Sequence, residues 1–395
     1  LSQQLLSRFV DKTMEDLSTK QIPITRPSVG EEEWLALREP IMNGWLTQGA
    51  KVAEFERKFA RQHDVRHAIA TTSCTTALHL ALRALDIGPG DEVILPSFTW
   101  IATANAVAYC GAKPVFVDVC ANTYNIDPVQ VELAVTESTR AIIAVHMFGL
   151  TADIDELRRV APDLPVIEDA ACAAGATYKG CQAGSLGELG CFSFHPRKII
   201  TTGEGGMITT NDTAFAEKLQ RLRNHGASVS EEVRHRSPRP HELPEFNELG
   251  FNLRMTDLQG AVGLEQLKKL KQFISERAQW AEWYRNELSD LEWLLCPAEP
   301  EQGRHGWQAF VTWVVDSKAP FPRNELMDRL HARGIATRPG THAVHELGLF
   351  KHHPSTYPMA SECEAQTMAL PLHNRMKEDD YEAVVTAIRT IGNDC

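Results

Sequence analysis

The chain has 395 residues and a formal net charge of −12, with 43% hydrophobic and 23% charged residues. This length exceeds what a single small core requires and predicts two domains. The acidic balance argues against a general binder of nucleic acids or anionic membranes, and no apolar run approaches the roughly 20 residues needed to span a bilayer.

Cysteine usage and the N-terminal segment indicate the compartment. Nine cysteines are scattered without a CxxC pair, several of them in apolar runs, which is typical of reduced core cysteines and predicts a cytoplasmic protein. The N-terminal segment lacks the basic start and continuous apolar core of a signal peptide. Its apolar residues recur at helical spacing, so residues 1–21 are predicted to form an amphipathic helix that packs on the protein or on a subunit partner.

Between about residue 65 and residue 210, short apolar runs typical of strands alternate with helical patterns. The runs are HAIATTS, DEVILPS, KPVFVDV, AIIAVHMFG, LPVIEDA, CFSF and GGMITT. Strands separated by helices indicate βαβ units and therefore an α/β fold with a mainly parallel sheet. Ligands of such sheets bind at the carboxyl ends of the strands, where loops and helix N-termini meet.

The remaining chain is predicted to form a loop, a long helix and a smaller unit. Residues 228–250 contain three prolines and mixed charges without periodicity, which predicts a long loop. A helical pattern runs from Met255 to Leu288, and a strand pattern and two helices follow it. We therefore predict a large domain over 22–265 and a smaller α/β domain over 266–395.

Three features at the predicted strand ends could carry chemistry. Asp169 ends an apolar run, and a carboxylate there needs either a basic side chain or the protonated nitrogen of a heteroaromatic cofactor. The hydroxyl-rich turn at 71–76 leads into a helix, which fits either ordinary N-capping or a phosphate cradle. Trp100 stands at another strand-to-helix junction, either as a core residue or as a surface that stacks on a flat ring.

Lys198 lies between an apolar segment, CFSF, and a glycine-rich turn, TTGEGG. It could be a solvated turn residue, a phosphate ligand or a covalent catalyst, because a lysine in an apolar site is a competent nucleophile for Schiff-base chemistry. A lysine, a carboxylate, a phosphate cradle and a stacking aromatic together meet the requirements of pyridoxal 5′-phosphate (PLP).

Two other motif interpretations fail. GEGGM is neither a Walker A loop nor a dinucleotide fingerprint, since no Gly-Lys-Ser/Thr follows and Ile208 occupies the last position. His342, His345, His352 and His353 lack the cysteine partners of a zinc site, so we predict no metal and expect these histidines to be solvated or to face substrate.

The chain resembles the DegT/StrS-type, PLP-dependent aminotransferases of nucleotide-sugar metabolism. The resemblance runs from residue 22 to the C-terminus and is carried by GWLTQGAKVAEFERKFA, TTALHLAL, PSFTWIATANAVAYCGAKPVFVDV, EDAACAAGA, SFHPRKIITTGEGGMITTND, RNHG and FNLRMTDLQGAVGLEQL. It implies a fold-type I architecture, in which a large domain with a mostly parallel seven-stranded sheet is joined to a smaller C-terminal α/β domain. It also implies a homodimer with active sites at the subunit interface.

The resemblance implies roles for individual residues. Lys198 matches the Schiff-base lysine, and Asp169 matches the carboxylate that pairs with the pyridine nitrogen. Trp100 and Ala171 match the groups on the two faces of the cofactor ring. The implied phosphate ligands are Thr75 with the backbone of Cys74 before it, Ser193, and Asn252 from the neighbouring subunit.

Two positions depart from the family pattern. The family usually has Gln where this chain has Cys172, near the cofactor's 3-hydroxyl, and a thiol is the weaker hydrogen-bonding group. Cys74 stands where glycine is common, and its backbone N–H serves equally unless the position requires a positive φ.

The activity implied is amination of a nucleotide-linked keto-deoxysugar, a 4-keto-6-deoxyhexose, with L-glutamate as donor, for surface polysaccharide or glycosylated metabolite biosynthesis. The partners implied are thus the nucleotide sugar and the donor, with neither nucleic acid nor membrane. Substrate contacts are predicted from Trp45, Thr47, Arg234, Arg236, Arg239, Arg338, His342 and His345. The three arginines of the 228–250 loop also fit a solvated surface.

Two alternative functions use the same fold. A sugar dehydratase of this kind has histidine at the lysine position, so Lys198 opposes that alternative. A non-catalytic regulatory protein has no need for the set of Lys198, Asp169 and Ser193. The sequence therefore predicts a PLP-dependent aminotransferase.

Overall fold

The computed structural model describes residues 21–229, 239, 241–298, 302–351 and 356–393. The N-terminal helix predicted for residues 1–21 lies outside the described residues except for Gln21, and so do Arg234, Arg236, His352 and His353.

The strands, in chain order, are β1 (His67–Thr71), β2 (Glu92–Pro96), β3 (Phe98–Thr99), β4 (Lys113–Val117), β5 (Thr139–Val145), β6 (Val166–Asp169), β7 (Thr177–Tyr178), β8 (Cys181–Gln182), β9 (Leu189–Ser193), β10 (Gly206–Thr210), β11 (Leu294–Leu295), β12 (Gly303–Arg304), β13 (Phe310–Val314), β14 (Arg338–Pro339), β15 (His342–Ala343) and β16 (Thr367–Leu370). The α-helices are α1 (Glu31–Ala36), α2 (Arg38–Asn43), α3 (Ala50–Gln62), α4 (Cys74–Ala84), α5 (Ala102–Tyr109), α6 (Pro128–Ala134), α7 (Ile154–Val160), α8 (Thr213–Leu222), α9 (Asp257–Glu287), α10 (Arg323–His331), α11 (Pro358–Gln366) and α12 (Glu378–Asn393). Short 3-10 helices cover Met147–Gly149 and Val344–Glu346. No helix in the described part of the chain combines the length and the apolar character needed to cross a membrane.

Seven strands form one sheet in the order β1-β10-β9-β6-β5-β2-β4. β9, β6, β5, β2 and β4 pair in parallel, whereas β10 is antiparallel to both of its neighbours. Strands β6 and β10 are buried along their whole length, as expected where helices cover both faces of a sheet. The predicted α/β fold with a mostly parallel seven-stranded sheet is confirmed.

The reversal of β10 places three chain segments at one edge of the sheet. Ser193, at the end of β9, pairs with Gly206, at the start of β10, and Gly206 in turn pairs with Thr71 at the end of β1. Asp169, at the end of β6, pairs with Cys191 of β9. The turn that carries Lys198 therefore leaves and re-enters the sheet at the edge where the parallel strands end.

The C-terminal part of the chain forms a second sheet in the order β11-β13-β16-β14, with antiparallel pairing throughout. Its core includes large aromatic residues such as Tyr284, Phe310 and Tyr381. Ile22 also joins this core, and its N–H donates to the carbonyl of Gly334 at 2.8 Å. A four-stranded sheet with helices α10 and α12 gives the C-terminal part an α/β composition.

Helix α9 contributes to the core beside the large sheet and to the core of the C-terminal part. It begins at an N-cap, Thr256, whose hydroxyl accepts from Gln259 N–H while the Gln259 side chain accepts from Thr256 N–H. Leu264 and Leu267 pack in the core beside the large sheet, whereas Tyr284 packs in the C-terminal core. The domain boundary at 265/266, which stays a prediction, thus falls inside one continuous helix.

Glu168 is a fully buried carboxylate one residue before Asp169. It accepts hydrogen bonds from Nε2 of His146 at 2.8 Å and from the backbone N–H groups of Gly184, Leu186 and Gly187 at 2.6–2.8 Å. Ala152 N–H donates to Nδ1 of His146, which leaves the ring proton on Nε2. Four donors thus compensate the buried charge and hold the end of β6 in place.

We predict that Glu168→Ala lowers the free energy of unfolding by about 3–5 kcal/mol, because four buried donors lose their acceptor. Urea unfolding followed by circular dichroism measures the change. The matched control is Asp155→Ala, which removes an exposed ion pair with Lys179 and is expected to cost less than about 1 kcal/mol. Equal losses in the two variants would contradict the structural role of Glu168.

Candidate active site

Lys198 lies in the turn between β9 and β10 and is partly buried. Its backbone N–H donates to the carbonyl of His195 at 2.8 Å, and its Nζ lies 3.2 Å from Sγ of Cys172. The turn is held from the C-terminal part, because Nε2 of Gln308 donates to the carbonyl of Arg197 at 2.9 Å. The amine therefore lies at the carboxyl edge of the sheet, in contact with a neighbouring side chain, which favours a role at this edge over that of a solvated turn lysine.

Asp169 is 6% exposed, and polar groups hold both of its carboxylate oxygens. Oδ2 accepts from the hydroxyl of Thr103 at 2.8 Å, and Oδ1 accepts from the backbone N–H of Ala171 at 3.2 Å. The thiol of Cys74 lies 3.9 Å from Oδ1, and burial, followed by the charge of Asp169, raises the pKa of that thiol well above its usual range. Within the described residues no basic side chain forms an ion pair with Asp169. A protonated cofactor nitrogen would supply the missing positive charge.

The turn before α4 has free donors of the kind that bind phosphate. Ser73 is the N-cap, and its hydroxyl accepts from Thr76 N–H at 3.2 Å. The described residues supply no acceptor for the backbone N–H groups of Cys74 and Thr75, which follow at the positive end of the helix. A Cβ on Gly206 would lie 2.4 Å from the carbonyl of Ser73, so this glycine is required for β10 to pass so close.

Ser193 lies next to this turn in the sheet, since both Ser193 and Thr71 pair with Gly206. Its hydroxyl accepts from the backbone N–H of His195 at 3.4 Å, which is a weak contact. The Ser193 hydroxyl can therefore form a further hydrogen bond. It lies at the same edge of the sheet as the turn before α4.

Trp100 is 58% exposed, which excludes the core interpretation and leaves the indole available to stack on a ring. It follows β3, which pairs with β15 from the C-terminal part. The centroid of its ring lies 5.7 Å from that of His342, whose Nδ1 is 3.2 Å from Oε1 of Glu364. His342 therefore lies beside the indole, and Glu364 orients the imidazole there.

Arg338 lies on β14, in the C-terminal part of the chain, and is partly buried. Desolvation by burial lowers its pKa, the charge of Cys172 opposes this shift, and the charge of Arg197 adds to it. Within the described residues its guanidinium has no carboxylate partner at ion-pair distance. A partly desolvated cation without a protein partner is a candidate site for an anionic ligand.

The other predicted substrate residues do not contact Lys198, Asp169 or Cys172 within the described part of the chain. The indole N–H of Trp45 donates to the carbonyl of Gln48, and the carbonyl of Thr47 accepts from Asp257 N–H. Arg239 forms an exposed ion pair with Glu242, and His345 packs edge-on against Tyr357. The exposed Asn252 forms a β-bridge with Asn224.

Sequence reasoning missed two residues that orient the site. Thr103 holds Asp169 and in turn contacts the hydroxyl of Thr99 at 3.1 Å. Glu364 holds His342 and also accepts from the backbone N–H of Ala343 at 2.7 Å. The i, i+4 spacing of Thr99 and Thr103 beside Trp100 was the available signal for the first, because hydroxyls so spaced meet on one face.

Comparison with known proteins identifies the family to which the chain belongs. A profile of the DegT/DnrJ/EryC1/StrS aminotransferase family matches residues 27–389. The chain belongs to this family. The spore coat polysaccharide biosynthesis protein SpsC of Bacillus subtilis is 39% identical over 377 residues, which cover 94% of this chain and 97% of that protein. The GDP-perosamine synthase of Caulobacter vibrioides is 39% identical over 380 residues, which cover 95% of this chain and 99% of that enzyme.

A solved structure extends the comparison to the cofactor. A Streptococcus pneumoniae protein named as a sugar aminotransferase, in its PLP form, matches with 27% identity and a TM-score of 0.87, over 94% of this chain and 99% of that chain. The predictions of a PLP-dependent aminotransferase and of a fold-type I architecture are therefore confirmed. The dehydratase and regulatory alternatives receive no support from these relatives.

The donor set of this aminotransferase fits PLP in chemical type. Among the described residues, the site has an amine at Lys198, a buried carboxylate without a cationic partner at Asp169, and N–H groups without an acceptor at Cys74 and Thr75. The exposed indole of Trp100 completes the set. A primary amine, an anion for a pyridinium, N–H donors for a phosphate and an aromatic surface are what this cofactor requires.

We predict that Asp169→Asn lowers kcat about 100-fold, a loss of roughly 3 kcal/mol, because a neutral amide does not stabilise a positive ring nitrogen. Steady-state transamination and the absorbance spectrum of the bound cofactor measure the effect. Thr103→Val keeps the carboxylate and is expected to lose about 10-fold, since only one hydrogen bond disappears. Retention of wild-type kcat by Asp169→Asn would exclude the pairing with the ring nitrogen.

Proposed function

We propose that this chain transfers an amino group from L-glutamate to a nucleotide-linked keto-deoxysugar, a 4-keto-6-deoxyhexose, in the biosynthesis of a surface polysaccharide or a glycosylated metabolite. The observation that carries this proposal is the 39% identity, over 380 residues, to a GDP-perosamine synthase. The matched relative SpsC, named for spore coat polysaccharide biosynthesis, supports the same substrate class.

The proposed roles follow from where each group lies. Lys198 holds the cofactor covalently, and Asp169 pairs with its ring nitrogen. The N–H groups of Cys74 and Thr75, with the hydroxyl of Ser193, bind its phosphate, as their places beside Gly206 support. Trp100 covers one face of the ring and Ala171 the other. When bound, the cofactor supplies an electron sink for the negative charge that develops at the substrate carbon.

Proton transfer is assigned to the amine of Lys198. With the cofactor bound, Nζ of Lys198 would act as the general base that accepts the proton from the α-carbon of the donor, and then as the general acid that returns it as the amino group is transferred. Cys172, 3.2 Å from this amine, keeps it at the edge of the sheet between the two half-reactions. The same amine acts in reverse when the keto sugar is bound.

Arg338 is proposed to bind the carboxylate of the amino donor. Its guanidinium interacts electrostatically with Cys172, the residue whose Sγ lies 3.2 Å from the lysine amine, and it has no carboxylate partner within the described residues. An arginine fork binds a carboxylate through two parallel hydrogen bonds, which orients the bound molecule as well as attracting it.

A second copy of the chain is proposed to complete the site. Exposed apolar side chains occur on α1 and α2, where Trp34 is 70% and Met42 73% exposed, and beside Asn252, where Leu249 is 94% exposed. A homodimer that covers these side chains would bring Asn252 to the phosphate of the neighbouring subunit, the role implied by the family resemblance. The eight cysteines in the described residues are free, which supports a reducing cytoplasm as the location.

The experiment that tests the function is a screen of dTDP-, UDP- and GDP-linked 4-keto-6-deoxyhexoses with L-glutamate. We expect one nucleotide sugar to be converted to the 4-amino sugar, with one 2-oxoglutarate formed per product. Mass spectrometry and NMR identify the aminated carbon, and Lys198→Ala serves as the inactive control. Failure to aminate any of these sugars, with the cofactor demonstrably bound, would reject the proposed substrate class.

Replacement of Arg338 tests whether this residue binds the amino donor or the keto sugar. Arg338→Met is expected to weaken donor binding by roughly 2 kcal/mol, about 30-fold in Kd, because a charged hydrogen-bonding partner is lost. Single-turnover conversion of the PLP form by L-glutamate, followed by absorbance, measures the change.

The control is Arg159→Met, which removes an exposed arginine already paired with Glu156 and is expected to leave donor binding unchanged. The reaction of the pyridoxamine-phosphate (PMP) form with the keto sugar should be similar in both variants. A selective loss in that second half-reaction would assign Arg338 to the sugar rather than the donor.

A further inference from the structure

The contact between Cys172 and Lys198 joins a nucleophilic sulfur to a nucleophilic nitrogen. Sγ and Nζ lie 3.2 Å apart, and both side chains are partly accessible. We infer that hydroperoxides link Cys172 and Lys198 through a reversible S–N bond, which blocks the catalytic amine. The inference rests on the proposed function only in that Lys198 is the amine the reaction uses.

The surroundings favour reaction at this thiol over the buried ones. Cys172 is partly exposed at the edge where ligands are proposed to enter, whereas Cys74 and Cys191 are buried. Burial, followed by the charge of Asp169, raises the pKa of both buried thiols well above the usual range. Arg338 interacts electrostatically with Cys172, and this interaction favours negative charge on the sulfur as it attacks a peroxide.

The chemistry balances in two steps. The sulfur of Cys172 attacks one oxygen of a hydroperoxide, the O–O bond breaks, and the sulfenic acid Cys–SOH forms with release of water or an alcohol. The amine of Lys198 then attacks this sulfur, the S–O bond breaks, and water leaves to give Cys–S–NH–Lys. One sulfur is oxidised by two electrons, and the hydroperoxide is the oxidant that is reduced.

Reduction restores both groups. A thiolate attacks the sulfur of the S–N bond and releases the Lys198 amine as a mixed disulfide forms at Cys172. A second thiolate frees Cys172 and leaves with the first as a disulfide. The modification is therefore reversible by cellular thiols, unlike oxidation of a thiol to sulfinic or sulfonic acid.

Formation of the S–N bond depends on whether the Lys198 amine is free or bound to the cofactor. In the PLP form the proposed reaction engages Nζ with the cofactor, so the amine does not attack sulfur. In the PMP form the amine is free and lies beside Cys172, as in this structure. The S–N bond therefore forms between the two half-reactions, when the enzyme holds the amino group as PMP and has not yet bound a keto sugar.

The experiment compares wild-type protein loaded with PMP or with PLP, each treated with hydrogen peroxide. We expect a mass decrease of about 2 Da in the PMP-loaded protein, since formation of the S–N bond removes two hydrogens. Proteolysis should then give one cross-linked species that contains Cys172 and Lys198. Dithiothreitol should restore the original mass and the capacity to bind PLP covalently, and the PLP-loaded protein should show at most a tenth as much cross-link.

Cys172→Ser is the matched variant, because it removes the sulfur while keeping a small polar side chain. It should show no decrease in mass under the same treatment. Cys181, the exposed cysteine on the β7–β8 hairpin, is an internal control within the described residues. Its oxidation without cross-linking would show that peroxide reached the protein.

Three results would overturn the inference. They are a gain of about 16 or about 32 Da at Cys172 without a cross-link, a gain of about 14 Da from a link through oxygen, and equal cross-linking in the PLP-loaded protein. The proposed function has a separate readout, which is the visible absorbance band of the PLP form and its loss on borohydride reduction. A normal band without the S–N link therefore rejects this inference alone.

Discussion

Two adjacent buried carboxylates end strand β6, and the difference between their partners organises the site. Successive strand residues point to opposite faces of the sheet, so Glu168 and Asp169 meet different surroundings. Glu168 is enclosed by His146 and three backbone N–H groups, which leaves its charge compensated by the fold itself. Asp169 receives one hydroxyl and one N–H, and no cation among the described residues. The Glu168 carboxylate thus stabilises the fold, and the neighbouring Asp169 carboxylate remains available for a ligand.

A single reversed strand gives the lysine access to this carboxylate. Because β10 runs antiparallel to β9, the turn between them both begins and ends at the edge where β6 ends. A parallel β10 would need a crossover to the opposite edge before pairing. Gly206 permits the arrangement, since any side chain there would collide with the carbonyl of Ser73. The position of the lysine turn and that of the helix N-terminus proposed to bind phosphate are therefore consequences of the same packing.

Local patterns were sufficient to predict the sheet and the residues at its carboxyl edge. Alternating strand and helix signals place Asp169, Ser193 and Lys198 at strand ends, and parallel strands bring such ends together. The partners of these residues depend on long-range docking that no local pattern encodes. Trp100 meets His342 only because β3 pairs with β15, and the Lys198 turn is held by Gln308 from the C-terminal part.

The domain boundary was harder to predict for a different physical reason. One helix, α9, packs its first half in one core and its second half in another, without a break in its hydrophobic periodicity. Ile22 adds a second connection, since it lies before the large sheet in sequence and packs in the C-terminal core. Periodicity reports which face of a helix is buried, but not which core covers it.

The positive charges at the site favour the binding of anionic ligands. The protein carries a formal net charge of −12, yet the amine of Lys198 lies 3.2 Å from Cys172, and Arg338 interacts electrostatically with the same cysteine. The PLP phosphate, the carboxylates of an amino acid and the diphosphate of a nucleotide sugar are all anions. Local positive charge in an acidic protein attracts such ligands to one place. Arg338 is partly buried and has no carboxylate partner among the described residues, so a bound anion would offset the cost of its desolvation.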